Sequence, residues 1–184
     1  DTCAGSTIRL QNISTGASIS SYKWLFGNGD SSTAALPVYA YPEAGNYSIR
    51  LRIVTADNCT ASATQSITIN PNPVAAFSIT ESCLGKPITI ANNSSGSIIS
   101  YNWRVSNGQN SATANPVILF NNEGNYTLSL KVQSAFGCSD SVSKPININA
   151  VNITARGDTS ILINQPLQLS ANGAATYLWQ PALL

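Results

Sequence analysis

The sequence predicts an all-β chain of tandem antiparallel β-sandwich modules, two of them complete and a third present in part. Three observations lead to this prediction. Apolar and polar residues alternate along strand-like segments, the chain repeats itself after 79 or 80 residues, and Gly, Asn and Pro interrupt it at short intervals. Interruptions about every 8 to 12 residues are typical of a sandwich, and no segment has helical periodicity.

Rare residues recur in register along the chain. Cys3 matches Cys83 after 80 residues, and Cys59 matches Cys138 after 79. The tryptophans, the Asn-Gly pairs and the Gly-Asn-Tyr segments also coincide: Trp24 with Trp103, Asn28-Gly29 with Asn107-Gly108, and Gly45-Asn46-Tyr47 with Gly124-Asn125-Tyr126. Because so many uncommon residues coincide, we infer an internal duplication of one module.

The duplication sets the expected module boundaries. We place the first module at residues 1–70, with its first strand missing, and the second module at residues 71–149. Residues 150–184 are predicted to be the N-terminal part of a third module, since Tyr177-Leu178-Trp179 repeats the Tyr-x-Trp of the second. The linker Asn70-Pro71-Asn72-Pro73 is stiff, because proline fixes its own φ and restricts its predecessor. Without a signal peptide or any methionine, the chain is expected to be an internal or mature piece of a longer protein.

Alternation identifies the strands one by one. Tyr47, Ile49, Leu51 and Ile53 alternate with more polar residues, which predicts one buried face and one wet face, and the second module repeats this pattern. The other predicted strands are Thr7–Gln11, Tyr22–Phe26, Ser66–Ile69, Ala76–Ile79, Ile88–Ala91, Tyr101–Val105 and Ile146–Ile148. The Asn-Gly pairs between strands predict tight turns, since Asn-Gly tolerates positive φ.

Three motifs recur in both copies. In the first copy they are Tyr22–Gly29, Pro37–Tyr41 and Gly45–Leu51, and in the second Trp103–Gly108, Pro116–Phe120 and Gly124–Leu130. Together they resemble the PKD domain, an immunoglobulin-like β-sandwich family. The family pattern has Asp where this chain has Asn28 and Asn107, and His where it has Tyr39 and Ile118. The change from Asp to Asn weakens the expectation of a structural calcium ion at the turn. The resemblance covers about 150 residues and implies a fold rather than a function.

The four cysteines follow the duplication and are expected to form disulfides. Of the three pairings that four cysteines allow, only Cys3–Cys59 with Cys83–Cys138 keeps each pair within one copy. We therefore expect each module to be braced by its own bridge, which contributes about 4 kcal/mol in the chain-entropy model. A bridge from one copy to the other would contradict this expectation, and four buried free thiols are the alternative. Bridged small modules indicate an oxidising compartment.

Catalytic and metal chemistry find little support in the residue types. The chain has no histidine, which excludes Ser-His and Cys-His nucleophile systems, and no closely spaced cysteine pair for zinc. Trp24, Trp103 and Trp179 occupy one repeat position and are therefore predicted to be core residues, not a sugar-binding platform. The chain is predicted not to be an enzyme, and no cofactor is expected.

Charge and hydropathy argue against nucleic acid and the membrane interior as binding partners of this region. Charged residues make up 9% of the chain and the net charge is +1, which gives no electrostatic basis for binding nucleic acid. No apolar stretch approaches the 18 residues or more of a membrane span, so no membrane insertion is expected here. Arg50 and Arg52 line one face of a strand and are interpreted as a solvated outer face.

One segment resembles a modification site. Asp140-Ser141-Val142 is similar to the Asp-Ser/Thr-apolar site of bacterial O-glycosylation, and we expect it in a loop after Cys138. Ser141 is therefore a candidate glycan acceptor.

Cysteine-bearing PKD repeats of this kind resemble those of long proteins that gliding bacteria export by type IX secretion. Thr176–Pro181 strengthens the resemblance, because a Tyr-x-Trp-x-Pro strand recurs in the immunoglobulin-like repeats of their adhesins. The resemblance implies a non-catalytic stalk of a secreted cell-surface adhesin, located outside the bacterial cell. Its partners would be neighbouring modules, other surface proteins or polysaccharide, and the secretion machinery in transit. Two alternatives are an ancillary module of a secreted protease or polysaccharide hydrolase, and a structural filament or surface-layer component.

Overall fold

The computed structural model describes residues 2–15, 18–79, 83–150, 154–155 and 171–172. These residues form strands and turns, and none of the described segments is helical. The all-β prediction is therefore confirmed. Within the same residues, no helix has the length and apolar character needed to cross a membrane.

The first module is a sandwich of two unequal sheets. Its strands are β1 (Thr2–Cys3), β2 (Thr7–Arg9), β3 (Ile19–Leu25), β4 (Ser31–Ser32), β5 (Val38–Ala40), β6 (Gly45–Thr55) and β7 (Thr60–Asn70). One sheet has the order β1-β7-β6-β3-β4, and the other consists of β2 and β5. Among the described strands of this module, only the short β1 runs parallel to its neighbour, with Cys3 opposite Asn70 at the end of β7.

The second module repeats this plan with a different division of strands. They are β8 (Phe77–Ile79), β9 (Ile88–Asn92), β10 (Ile98–Val105), β11 (Asn110–Ser111), β12 (Val117–Ile118), β13 (Gly124–Ser134) and β14 (Ser139–Ile148). The sheets have the orders β11-β10-β13-β14 and β12-β9-β8. The predicted third module lies almost wholly outside the described residues. The part that the structure describes consists of β15 (Thr154–Ala155) and β16 (Ala171–Asn172), which form one antiparallel pair.

Each module has its own core around one tryptophan. Trp103 is fully buried, and its indole N–H donates to the carbonyl oxygen of Thr113 at 2.9 Å. Trp24 is buried in the first module, where its indole N–H donates to Ala34 at 3.0 Å. Because both rings are packed inside, Trp24 and Trp103 are core residues as predicted, whereas Trp179 lies outside the described residues.

The two cores differ where β8 lies. Phe77 of β8 contacts the Trp103 ring edge-on, with the ring centroids 5.2 Å apart, and β9 pairs with β8 as well as β12. In the first module β2 pairs with β5 alone, and a groove of about 640 Å³ runs past Leu10, Trp24 and Gln65. The second module therefore covers its core with a smaller sheet of three strands, where the described first module has a smaller sheet of two.

The longest hairpins contain the residues that form the junction between the modules. β6 and β7 pair from Gly45 opposite Ile69 to Val54 opposite Thr60, and β13 and β14 pair over the equivalent length. Residues 60–66 of β7 are exposed. Each hairpin therefore runs the length of its module. Its turn lies at one end of the module, and the last residues of its second strand lie at the opposite end.

Candidate functional site at the junction between the modules

A disulfide connects the two modules. Cys3 is bonded to Cys138, with 5.6 Å between their Cα atoms, while Cys59 and Cys83 are exposed free thiols. The structure thus corrects the expected pairing of Cys3 with Cys59 and of Cys83 with Cys138. The duplication of the fold does not depend on that pairing, but the expectation that each copy is braced by its own bridge is overturned.

Strand length explains why the pairing within a module does not form. Cys59 immediately precedes β7, and Cys3 lies beside Asn70 at the other end of that strand. At about 3.3 Å per residue, this strand separates the two cysteines by roughly 35 Å. A disulfide needs Cα atoms about 4.4 to 6.8 Å apart. Cys83 and Cys138 lie at opposite ends of β14 in the same way, since Cys83 pairs with Asn149.

Backbone and amide hydrogen bonds hold the linker against the first module. The Ala4 N–H donates to the Asn70 oxygen at 2.9 Å, and the Asn72 side-chain amide donates to the Ala4 oxygen at 2.9 Å. These bonds attach the residues after Cys3 to both sides of Pro71. The linker is therefore restrained by hydrogen bonds as well as by its prolines.

On the other side, the linker is attached to the second module. The Asp140 carboxylate accepts a hydrogen bond from the Ala75 N–H at 2.8 Å, and Val74 pairs with Ser95. Pro73 packs directly on Gly96, where a Cβ atom would lie 3.0 Å from the proline Cα. Gly96 thus permits a close approach of the linker that a larger residue would obstruct.

Burial shows that the junction covers the hairpin turn of the second module. Cys138 is 1% exposed and Ser134 is 2% exposed, whereas their counterparts Cys59 and Thr55 are exposed and half-buried. The Ser134 hydroxyl has no hydrogen-bond partner among the described residues. An unpaired buried hydroxyl is destabilising, and it lies in the same turn as Cys138, which is bonded to Cys3 of the first module.

The described residues contain a second polar cluster, at the Asn-Gly turn of the first module. The Tyr39 hydroxyl donates to the Asp30 carboxylate, and the Asn28 amide donates to the Tyr39 oxygen at 2.7 Å. The hydrogen bond to Asp30 raises the pKa of Tyr39, and desolvation raises it further. No group of three or more potential metal ligands occurs in the described part of the chain. This cluster is an exposed turn-stabilising network.

The structure places the remaining predicted residues on the surface. Ser141 is exposed but lies in the middle of β14, opposite Lys131, so the expectation of a loop is wrong. Arg50 is exposed, and its guanidinium donates to the Ser62 hydroxyl at 3.3 Å. The role of Ser141 as a glycan acceptor stays a prediction.

Sequence reasoning missed two junction residues, Asp140 and Asn72. Asp140 occupies the position where the first module has Ala61. A carboxylate that replaces alanine in one copy alone was a signal that the second copy makes a contact that the first does not. Asn72 carried no comparable signal, because asparagine is common throughout this chain.

Comparisons with known proteins agree with this architecture. The model of the family described as "PKD domain" matches residues 1–71 and 70–150. A pre-pro-metalloprotease, PrtV of Vibrio cholerae, is 28% identical over 150 residues, which cover 78% of this chain and 16% of that protein. The chain therefore spans about a sixth of the length of the curated relatives it matches.

Two solved structures are similar to single modules. The PKD1 domain of PrtV from Vibrio cholerae is 33% identical, covers 42% of this chain and 98% of its own, and has a TM-score of 0.40. The PKD1 domain of Epp from Vibrio anguillarum is 28% identical, covers 44% of this chain and 98% of its own, and has a TM-score of 0.41.

Proposed function

The chain belongs to the PKD domain family, and from this premise we propose that it is an ancillary region of a secreted hydrolase of the metalloprotease kind. PKD modules themselves are non-catalytic, so the proposed role is to hold the domains on either side at a set separation and orientation. Such modules and disulfides are typical of secreted bacterial proteins, and we place the chain outside the cell.

One observation carries the proposal. The similarity to the metalloprotease precursor extends over 150 residues, which is longer than either module. The tandem arrangement is therefore part of the similarity, not only the module fold. This supports the hydrolase alternative better than the adhesin stalk that the residue resemblance implies.

The junction supports the mechanical part of the proposal. Two modules joined by one flexible linker would reorient freely, as domains with small interfaces do. Here the Cys3–Cys138 bond and the hydrogen bonds of Asn72 and Asp140 restrain the linker at several points. When the two modules are held in one arrangement, the domains attached at their two ends are held at a fixed separation and orientation.

The test compares the intact protein with a variant that lacks residues 1–150. We expect the intact secreted protein to hydrolyse a short peptide, the variant to keep the same kcat on that peptide, and the isolated chain to be inactive. On a large folded substrate, the variant should lose activity, because a positioning region matters only when the substrate is larger than the active site. An intact protein that does not hydrolyse the peptide contradicts the proposal.

A further inference from the structure

Two cysteines of the described chain have no disulfide partner, and they lie at opposite ends of the pair of modules. Cys59 is in the turn of the first hairpin, and Cys83 is beside the last residues of β14. Each is the repeat counterpart of a bonded cysteine: Cys59 corresponds to Cys138, and Cys83 to Cys3. Each end of the two-module pair therefore carries one cysteine that is equivalent to a bonded cysteine of the junction but has no partner among the described residues.

The turn around Cys59 has the same geometry as the turn around Cys138. The Thr55 N–H donates to the Cys59 oxygen at 2.9 Å, and the Ser134 N–H donates to the Cys138 oxygen at 2.8 Å. The residue before each cysteine has a positive φ: 60° at Asn58 and 81° at Gly137. Cys59 is thus presented as Cys138 is, except that nothing among the described residues covers it.

The segment around Cys83 matches the segment around Cys3. Each cysteine pairs in parallel with an asparagine at the end of the long strand, Asn149 or Asn70. The next N–H donates to that asparagine, from Leu84 at 3.0 Å and from Ala4 at 2.9 Å. The glycines that follow have φ values of 74° at Gly85 and 76° at Gly5.

We propose that Cys59 and Cys83 are the two ends of a continuing series of inter-module disulfides. In this series, the first cysteine of each PKD module bonds to the second cysteine of the module after it. Cys83 would take the Cys138 counterpart of a following module, and Cys59 the Cys3 counterpart of a preceding one. The occupant is another cysteine-bearing PKD module of the same polypeptide, because the linker keeps such a module next to the open cysteine.

Each new bond is a two-electron oxidation. Two thiols lose their protons and two electrons, and one S–S bond forms. The electrons pass to a disulfide donor, either a thiol–disulfide oxidoreductase or oxidised glutathione, whose own S–S bond is reduced to two thiols. The compartment that oxidises Cys3 and Cys138 supplies the same donor to the next pair.

The test adds one repeat to the full chain. A copy of residues 71–149 is inserted between Asn149 and Ala150, so that the Asn-Pro-Asn-Pro linker recurs and a second copy of Cys138 follows Cys83. The inserted copy carries Cys83→Ser, which leaves a single Cys83 in the chain, and Phe136→Tyr at an exposed position, which marks the inserted Cys138 peptide by its mass. The chain is refolded with oxidised and reduced glutathione, its free thiols are alkylated in denaturant, and its unreduced peptides are mapped by mass spectrometry. We expect two bridges, Cys3–Cys138 and Cys83 to the inserted Cys138, within a single chain.

Two readouts decide the outcome. In the unextended chain both Cys59 and Cys83 should be alkylated, and in the extended chain alkylation of Cys83 should disappear while Cys59 remains fully labelled. Changing only the inserted Cys138→Ser should restore the labelling of Cys83. The Cys3–Cys138 peptide in every sample shows that the modules have folded. Full alkylation of Cys83 in the extended chain, or a bond from Cys83 to Cys59, overturns the proposal.

Discussion

Loss of the bridge between the modules should destabilise both of them. Cys3→Ser removes the bond, and the half-buried position of Cys3 tolerates a serine hydroxyl without a new buried polar group. The bond joins residues 135 positions apart, and opening a loop of that length corresponds to about 5 kcal/mol in the chain-entropy model.

The free energy that the bridge contributes to the stability of one module follows from the shorter loop that it closes when that module alone unfolds. If the first module unfolds while the second stays folded, the bridge and the linker still confine a loop of roughly 70 residues, which corresponds to about 4 kcal/mol. The same holds when only the second module unfolds. For domains of this size, that loss should lower Tm by roughly 15 °C or more.

Guanidinium unfolding followed by tryptophan fluorescence measures this loss, because one buried tryptophan lies in each described core. Cys59→Ser and Cys83→Ser are matched controls, since both thiols are exposed and unbonded. Under non-reducing conditions the controls should unfold like the original chain, and Cys3→Ser should unfold like the reduced chain. Equal midpoints for Cys3→Ser and Cys59→Ser would falsify the assignment of the stabilising bond.

Three further predictions concern the module cores. Gly27→Ala should lower the free energy of unfolding by at least about 2 kcal/mol, since φ is +84° and a Cβ would lie 2.8 Å from the Ser48 oxygen. Gly29→Ala, at φ +101° with open space, should lower it by about 1 kcal/mol. Urea unfolding measures both, and equal losses contradict the contact with Ser48. Burial, and then the neighbouring tyrosines, raise the pKa of Tyr41 from 10.0 to about 12. Because the folded state holds the proton more tightly, the contribution of Tyr41 to the free energy of unfolding is fully present below pH 10. That free energy should fall by about 2–3 kcal/mol as pH rises to 12. Tyr41→Phe should remove that part of the alkaline loss in denaturation curves at pH 9 and 12, and an unchanged slope refutes the cause. Phe77→Ala should cost about 3–5 kcal/mol, because it removes a fully buried ring from Trp103, and a loss below 1 kcal/mol by the same unfolding assay contradicts that packing.

The fold was predictable because the central strands carry the strongest pattern. Residues of β6 alternate between the core and solvent, and the duplication supplied every such strand twice. The edge strands were predicted only in part: Ser66–Ile69 is the end of β7, whose earlier residues are exposed and polar. Backbone hydrogen bonds to β6 hold those residues in the sheet, and such bonds leave no alternation in the sequence.

The wrong cysteine pairing and the wrong location of Ser141 have the same cause, since the polar parts of β7 and β14 were not predicted as strand. With β7 predicted as only four residues long, nothing indicated that Cys59 and Cys3 lie at opposite ends of one strand. The repeat then favoured pairing within each copy. Similarly, Ser141 lies in the polar half of β14, which the pattern predicted as a loop. Strand length, which the sequence did not reveal, decided both outcomes.

The covalent link near the start of the chain also determines which residues bear tension. A pull applied at both ends of this chain would pass from Cys3 through the sulfur atoms to Cys138 and bypass everything between them. About 450 Å of extended polypeptide, at roughly 3.3–3.6 Å per residue, would stay sheltered from the load. Reduction would release that reserve, so the redox state of one bond would set how far this part of the protein can stretch.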